Sequence, residues 1–204
     1  MENKRLKTTI YLAGAIESAS TKEMKNWRAE IREKLIYPSL GIYDPVEQET
    51  LKVGRDSKSQ CEYIANLKRG GAWDLFSLAM DGIWWGKIDT HKVEKMNLLT
   101  FLYNKARLEG NYATDFPLWG DFEAVVRSDW ICAYMPKDVK TVGTILEIFV
   151  CYLFSIPVYL ILPDQSKTDT NSTLIDIVMK SGGQIFYNFS ECVSFIKTKY
   201  NLGE

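Results

Sequence analysis

The segment Thr8–Ala13 (TTIYLA) is a short run rich in β-branched and aromatic residues, and it is followed directly by Gly14. Because β-branched and aromatic residues favour strands and glycine interrupts them, the segment predicts a short central strand. An amphipathic helix is predicted next at Thr21–Ile36, because apolar residues recur there at helical spacing. The capping pattern Ser-x-x-Glu begins just before this helix at Ser20. A second strand is predicted at Gly41–Asp44 (GIYD). A strand, a helix and a strand in this order form a βαβ unit, which implies parallel pairing.

The second half of the chain repeats this alternation. Three further strands are predicted at Trp130–Tyr134, Val158–Leu162 and Gln184–Tyr187. The helices predicted around them are Asp121–Arg127, Thr144–Phe154, Ser172–Lys180 and Glu191–Lys199. We therefore expect an α/β fold, a three-layer sandwich of the flavodoxin-like or Rossmann-like kind, whose five-stranded parallel sheet has the order 2-1-3-4-5.

Residues 46–119 lie between the second and third predicted strands and are too many for a simple connection. Helices are predicted at about residues 61–68 and 93–108, and Asp81-Gly82 between them predicts a turn. An aromatic cluster in the same region consists of Trp73, Phe76, Trp84 and Trp85. The tryptophans there are better explained by packing than by base stacking, and they are Trp73, Trp84, Trp85 and Trp119. We expect residues 1–204 to form a single domain, with 46–119 as a large, mostly helical insertion.

Composition excludes several classes of function. The net charge of −1 lacks the basic excess of a duplex-binding protein. His91 is the only histidine, which disfavours a catalytic triad or a histidine-rich metal site. The apolar run Ile148–Leu162 is shorter than the ~20 residues that a membrane span needs. The four cysteines form no CxxC pair, as is usual in a reduced compartment. We expect a cytoplasmic protein with no metal, no cofactor, no nucleic-acid partner and no membrane association.

One carboxylate stands alone in an apolar region. Glu147 is the only charged residue between Lys140 and Asp164. Because a charged carboxylate is costly to desolvate against apolar surface, such a group is a candidate nucleophile or acid–base residue. The alternative is a structural glutamate near a helix N-terminus, where the helix dipole stabilises negative charge.

The carboxyl ends of parallel strands meet at one edge of a sheet, where open α/β folds bind ligands. Gly14 and Asp44 end the first two predicted strands, and the loop after the third leads to Glu147. The helix before the third strand begins at the same edge because it runs antiparallel to that strand, which brings Asp121 there. Two carboxylates are therefore expected to face one crevice. Taken alone, Asp121 is also explained as a helix cap and Asp44, before Pro45, as a turn residue.

These residues resemble the nucleoside 2-deoxyribosyltransferase superfamily, which includes deoxynucleoside monophosphate N-glycosidases. The order and spacing of five motifs carry the resemblance: Ile10–Gly14 (IYLAG), Asp121 eight residues before Asp129, the strand Trp130–Tyr134, Gly143–Glu147 (GTILE) and Ile156–Val158 (IPV). The resemblance covers roughly residues 8–45 and 118–190.

The resemblance implies an enzyme that cleaves or transfers at the N-glycosidic bond of a (deoxy)nucleoside or nucleotide, through a covalent glycosyl-glutamate intermediate. It implies that Glu147 is the nucleophile, that Asp121 hydrogen-bonds or protonates the leaving base, and that the Tyr11 hydroxyl orients the nucleophile. Substrate contacts are expected from Gly14, Ser18, Asp44, Gly143 and Thr144. By the same resemblance we expect a homo-oligomer.

Two departures from the family pattern leave alternatives open. Ala15 stands where many relatives have proline, and Glu17 stands where phosphate-binding relatives have a basic or small residue. An acidic side chain there disfavours a phosphomonoester and favours a nucleoside. Transfer to a second base and hydrolysis by water both remain open. So do a catalytically inactive nucleotide-binding sensor of the same fold and an interaction protein that docks through its insertion.

Overall fold

The computed structural model describes residues 8–16, 20–48, 57–85, 119–163, 165 and 168–202. The chain divides into two compact units. The first consists of Met1–Tyr43 together with Val125–Glu204, and the second of Asp44–Ala124. The first unit carries the sheet, and the second carries most of the long segment between the second and third strands.

A single five-stranded sheet organises the described part of the first unit. Its strands are β1 (Thr8–Gly14), β2 (Leu40–Tyr43), β3 (Trp130–Tyr134), β4 (Val158–Ile161) and β5 (Gln184–Phe186). Every neighbouring pair is parallel, and the order is β2-β1-β3-β4-β5. The predicted α/β fold with sheet order 2-1-3-4-5 is therefore confirmed. β1 extends one residue beyond the prediction because Gly14 still pairs with Tyr134 of β3.

Seven helices are found within the described ranges. They are α1 (Thr21–Lys34), α2 (Ser57–Arg69), α3 (Trp73–Trp85), α4 (Asp121–Val126), α5 (Val142–Phe154), α6 (Ser172–Lys180) and α7 (Phe189–Lys199). A helical turn at residues 45–48 also follows β2. None of the helices within these ranges has the length and apolar character to cross a bilayer.

Helices cover both faces of the sheet, so the first unit has three layers. Alternate side chains of a strand point to opposite faces. Ile10 and Leu12 of β1 pack in one buried cluster with Trp27 and Ile31 of α1 and with Ile196 of α7. On the other face α5 packs against β1 and β3, and α6 packs against β4 and β5. The interior strand β1 therefore contacts helices on both faces of the sheet.

The second unit contains a helical hairpin. α2 and α3 pack through buried Ile64 and Ala79, and the predicted helix at residues 61–68 is confirmed but longer. The predicted turn at Asp81-Gly82 is wrong, because both residues lie inside α3. Gly82 is buried on the same side of α3 as Leu78, so packing against the helix pair outweighs the roughly 1 kcal/mol that glycine costs in a helix. The helix predicted at residues 93–108 lies outside the described residues.

The aromatic cluster of the insertion divides into exposed and packed members. Trp73 is 62% exposed and meets Phe76 edge-on. The Trp84 and Trp85 rings lie 5.6 and 5.2 Å from the Phe122 ring, measured between centroids. The second pair thus packs within the second unit, in line with the packing interpretation.

Two adjacent glycines connect α6 to β5 and provide a stability test. Gly182 has a φ of 82°, in the left-handed region that disfavours other residues. A Cβ at Gly183 would lie 2.6 Å from the Val158 backbone nitrogen and against its carbonyl oxygen. We expect Gly182→Ala to cost about 1 kcal/mol and Gly183→Ala about 3 kcal/mol, because a backbone must move. Urea unfolding measures both, and an equal cost would contradict the packing argument.

Candidate functional site

A buried carboxylate and a buried phenol form the centre of the site. Glu147 lies in the second turn of α5 and is 8% exposed, while Tyr11 in the middle of β1 is fully buried. The Tyr11 hydroxyl donates a hydrogen bond of 2.5 Å to Oε1 of Glu147. Tyr11 therefore projects to the α5 side of the sheet, opposite to its neighbours Ile10 and Leu12.

The surroundings of Glu147 raise the pKa of its carboxyl group above the value in water. Burial raises the pKa of Glu147 from 4.5 to about 7, although the Tyr11 hydrogen bond and the positive charge of Arg28 both lower it. Desolvation raises the pKa because it penalises the charged form, and here its effect is larger than that of the two stabilising contacts. A carboxyl group with a pKa near neutrality can act as a nucleophile when ionised or as an acid when protonated.

The cysteine one turn after Glu147 has a different character. Cys151 is fully buried, and its pKa is raised above its ordinary range by burial and by the neighbouring Glu147 charge. Since the thiolate is the reactive form of cysteine, this thiol is unreactive. The chemistry available on this side of α5 therefore belongs to the carboxyl group.

Arg28 is a member of the site that sequence reasoning missed. It is 1% exposed, its Nη2 donates a 3.0 Å hydrogen bond to the Gly14 carbonyl, and its guanidinium carbon lies 4.5 Å from the centre of the Trp27 ring. Arg28 is one of 25 basic residues in the chain. The one available signal is its position directly after an apolar helical residue in the helix that follows β1.

Gly14 is required by packing at the end of β1. A Cβ at this position would lie 2.6 Å from Cζ2 of Trp27. The Trp27 ring in turn stacks on Tyr134 at the end of β3, with ring centroids 5.1 Å apart. The close approach that Gly14 permits is therefore an approach by Trp27. Its predicted contact with substrate stays a prediction.

The N-terminus of α5 lies two residues earlier than predicted. The helix begins at Val142, so Gly143 and Thr144 belong to its first turn, and Thr144 is buried. The preceding Thr141 makes no side-chain capping hydrogen bond. First-turn N–H groups lack intrahelical acceptors, and the helix dipole favours negative charge at this end. The contacts of Gly143 and Thr144 with substrate oxygens stay a prediction.

The remaining predicted residues belong to the second unit or lie outside the described residues. Asp44 is buried, and its Oδ1 accepts a 3.0 Å hydrogen bond from the Val46 N–H, so it caps the turn after β2. Asp121 is the first residue of α4. Both aspartates are in the second unit, whereas Glu147 is in the first, and their convergence on one crevice stays a prediction. Ser18 lies outside the described residues.

Metal binding and known families add no further assignment. Within the described ranges, no group of three or more histidine, cysteine, aspartate or glutamate side chains could hold a metal ion. No protein-family model matches the chain, and a search of curated proteins finds no match to it. Any function of this protein is therefore inferred from its own residues.

The raised pKa of Glu147 predicts how stability depends on pH. The unfolded chain loses this proton near pH 4.5, whereas the folded protein keeps it to about pH 7. The folded state binds more protons in that window, so the contribution of Glu147 to stability is full below pH 4.5 and is lost as the pH rises through about 7. The loss is on the order of 3 kcal/mol.

Glu147→Gln removes this titration. The free energy of unfolding of the variant, relative to that of the wild type, should therefore increase between about pH 4.5 and about pH 8. Urea unfolding at the two pH values measures the difference. Glu33→Gln, at an exposed position on α1, is the matched control. An equal effect of Glu147→Gln at both pH values would show that burial does not hold the proton.

Proposed function

We propose that the protein cleaves or transfers at the N-glycosidic bond of a (deoxy)nucleoside or nucleotide, with Glu147 as the nucleophile. The observation that carries this proposal is the hydrogen bond from the buried Tyr11 hydroxyl to the buried Glu147 carboxyl group. The bond directs one oxygen of the carboxyl group toward β1 and favours its ionised form. The IYLAG and GTILE motifs resemble those of the nucleoside 2-deoxyribosyltransferase superfamily. This resemblance also implies that Glu147 is the nucleophile and that the Tyr11 hydroxyl orients it.

The chemical step follows from these groups. An Oε atom of Glu147 attacks the anomeric carbon while the bond from that carbon to the base nitrogen breaks, and the base leaves with the electron pair. The leaving base takes up a proton, and the resemblance implies that Asp121 is the donor. A second base or a water molecule then attacks the anomeric carbon and gives a proton to the Asp121 carboxylate. The bond from the anomeric carbon to Glu147 breaks, and the Glu147 carboxylate is regenerated. The first outcome is transfer and the second is hydrolysis.

A nucleophilic role explains why two stabilising contacts surround an otherwise desolvated acid. Burial alone would keep Glu147 protonated at neutral pH, and a protonated carboxyl is a poor nucleophile. The Tyr11 hydroxyl and the Arg28 charge counteract burial and bring the pKa to about 7. The carboxylate is thereby available at neutral pH yet remains weakly solvated, which favours attack on a cationic sugar carbon.

Base exchange is the direct test. Incubation with a panel of nucleosides and nucleotides plus a second free base should release base and form exchange products, which chromatography detects. Rapid denaturation during turnover should trap the sugar on the peptide that contains Glu147, as measured by mass spectrometry. Glu147→Gln should abolish the adduct and lower turnover at least 10³-fold, about the loss expected when a nucleophile is removed. Asp121→Asn should slow release most for bases that leave poorly without a proton.

Base release and melting temperature together distinguish the proposed mechanism, the sensor and hydrolysis. Full base release by Glu147→Gln would end the proposed mechanism. A nucleotide that raises the melting temperature of the wild-type protein, with no base released from any member of the panel, would favour the sensor. Free base without exchange product would select hydrolysis.

The pH profile tests the role of Tyr11. For the wild type, kcat/KM should rise about tenfold between about pH 6 and about pH 8 as Glu147 loses its proton, because its pKa is about 7. Tyr11→Phe removes a contact that lowers this pKa, so the rise should move to higher pH and activity at neutral pH should fall about tenfold or more.

Tyr43→Phe is the matched control, because it removes the hydroxyl of the tyrosine whose ring stacks on Tyr11. The control should leave the midpoint of the profile in place. A Tyr11→Phe variant with the wild-type midpoint would exclude the proposed role of the Tyr11 hydroxyl.

A further inference from the structure

We infer that Arg28 is a positioning residue of this site, which anchors the end of β1 through the Gly14 carbonyl and supplies the positive charge with which the Glu147 carboxylate interacts. Neither the resemblance nor the motif analysis assigns Arg28 a role. As an account of catalysis, the inference rests on the proposed function. As an account of charge in the site, it is testable without substrate.

The position of Arg28 is unusual for a charged side chain. It belongs to α1, whose neighbouring residues Trp27 and Ile31 pack on the sheet face opposite to α5. Its guanidinium nevertheless reaches the carboxyl end of β1, where Nη2 bonds to the Gly14 carbonyl. The side chain is almost fully buried. A buried cation is costly to desolvate, so such a placement requires compensating acceptors or negative charge.

Contacts with Gly14 and Trp27 hold the guanidinium in place. The Gly14 carbonyl accepts its hydrogen bond, and the Trp27 ring lies beside the guanidinium carbon at 4.5 Å from centroid to carbon. Trp27 is itself held by stacking on Tyr134 at the end of β3. Gly14 leaves the space that this arrangement needs, since a Cβ there would collide with Trp27. The ends of β1 and β3 therefore fix where the positive charge lies.

Arg28 and Glu147 both contact the same strand, because Arg28 bonds to the Gly14 carbonyl of β1 and Glu147 accepts a hydrogen bond from Tyr11, three residues earlier on β1. The interaction with Arg28 lowers the pKa of Glu147, against the larger effect of burial. Other ionisable groups described in the structure face Glu147 or lie on elements packed against its helix. Tyr11 faces it from β1, and Cys151 lies on the same helix. On α6, which also packs against α5, Asp176 and Lys180 pair with each other and are more than half exposed.

Titration of Glu147 in the free protein tests the inference. Its carboxyl carbon is followed by NMR in protein labelled with ¹³C-glutamate, and the signal is assigned by its absence in Glu147→Gln. Arg28→Gln should raise the titration midpoint by about one pH unit or more, the effect expected for loss of a nearby opposite charge. Arg28→Lys retains the charge and should restore at least half of that shift.

Arg32→Gln, one turn further along α1 at a partly exposed position, is the matched control and should leave the midpoint unchanged. A folded Arg28→Gln protein with the wild-type midpoint would overturn the inference.

A second measurement tests the interaction between Arg28 and Glu147 even if Arg28→Gln fails to fold. In wild-type protein labelled with ¹⁵N-arginine, the guanidinium signals of Arg28 should shift with the same midpoint as the Glu147 carboxyl signal. In Glu147→Gln, which is close in shape, this step should disappear. Arg28 signals that do not change through the Glu147 midpoint would refute the interaction.

Activity separates this inference from the proposed function. If base release is found, Arg28→Gln should move the acidic limb of the kcat/KM profile to higher pH by the same amount as the NMR midpoint, and Arg28→Lys should largely restore it. Base release with an unmoved limb would refute the inference and leave the proposed function intact. No base release from any nucleoside, together with coupled NMR titrations, would refute the proposed function and leave the charge interaction intact.

Discussion

The hydrogen bond between Tyr11 and Glu147 joins β1, an interior strand of the sheet, to the helix after β3. Tyr11 lies on β1, which pairs with strands on both sides, and Glu147 lies on the buried side of α5. An acid in this position would be a poorly compensated polar group without the phenol, because the rest of α5 contributes no charged side chain. The hydrogen bond therefore lowers the cost of burying a carboxyl group in the apolar interface between helix and sheet.

The electrostatics of the site reflect a competition between burial and local contacts. Burial disfavours the ionised form of Glu147, while a hydroxyl from β1 and a cation from α1 favour it. The result is a pKa near neutrality. The two contacts together offset only part of the desolvation, and they come from segments more than one hundred residues away from Glu147 in the chain.

Local patterns predicted most of the fold. The alternation of β-rich and amphipathic segments was sufficient for the parallel sheet and its order, because right-handed crossovers leave few arrangements open. Local patterns failed at α3, where Asp81-Gly82 has turn propensity but packing of Leu78 and Ala79 against α2 keeps the chain helical. For the candidate site, spacing and resemblance singled out Tyr11 and Glu147. No local feature singled out Arg28, because its partner Gly14 is brought to it only by the folding of β1 against α1.

The sequence by itself determined that α5 is a helix with one carboxylate, but not the direction in which that carboxylate points. α5 (VGTILEIFVCYLF) is apolar all round, so its periodicity does not distinguish a buried from an exposed side. Large apolar side chains such as Ile145, Phe149 and Leu153 are in fact exposed, while Glu147 is buried. Only the tertiary structure decided this orientation. Shape and the hydrogen bond to Tyr11 select the rotation of α5, and both exist only when the helix is docked on the folded sheet.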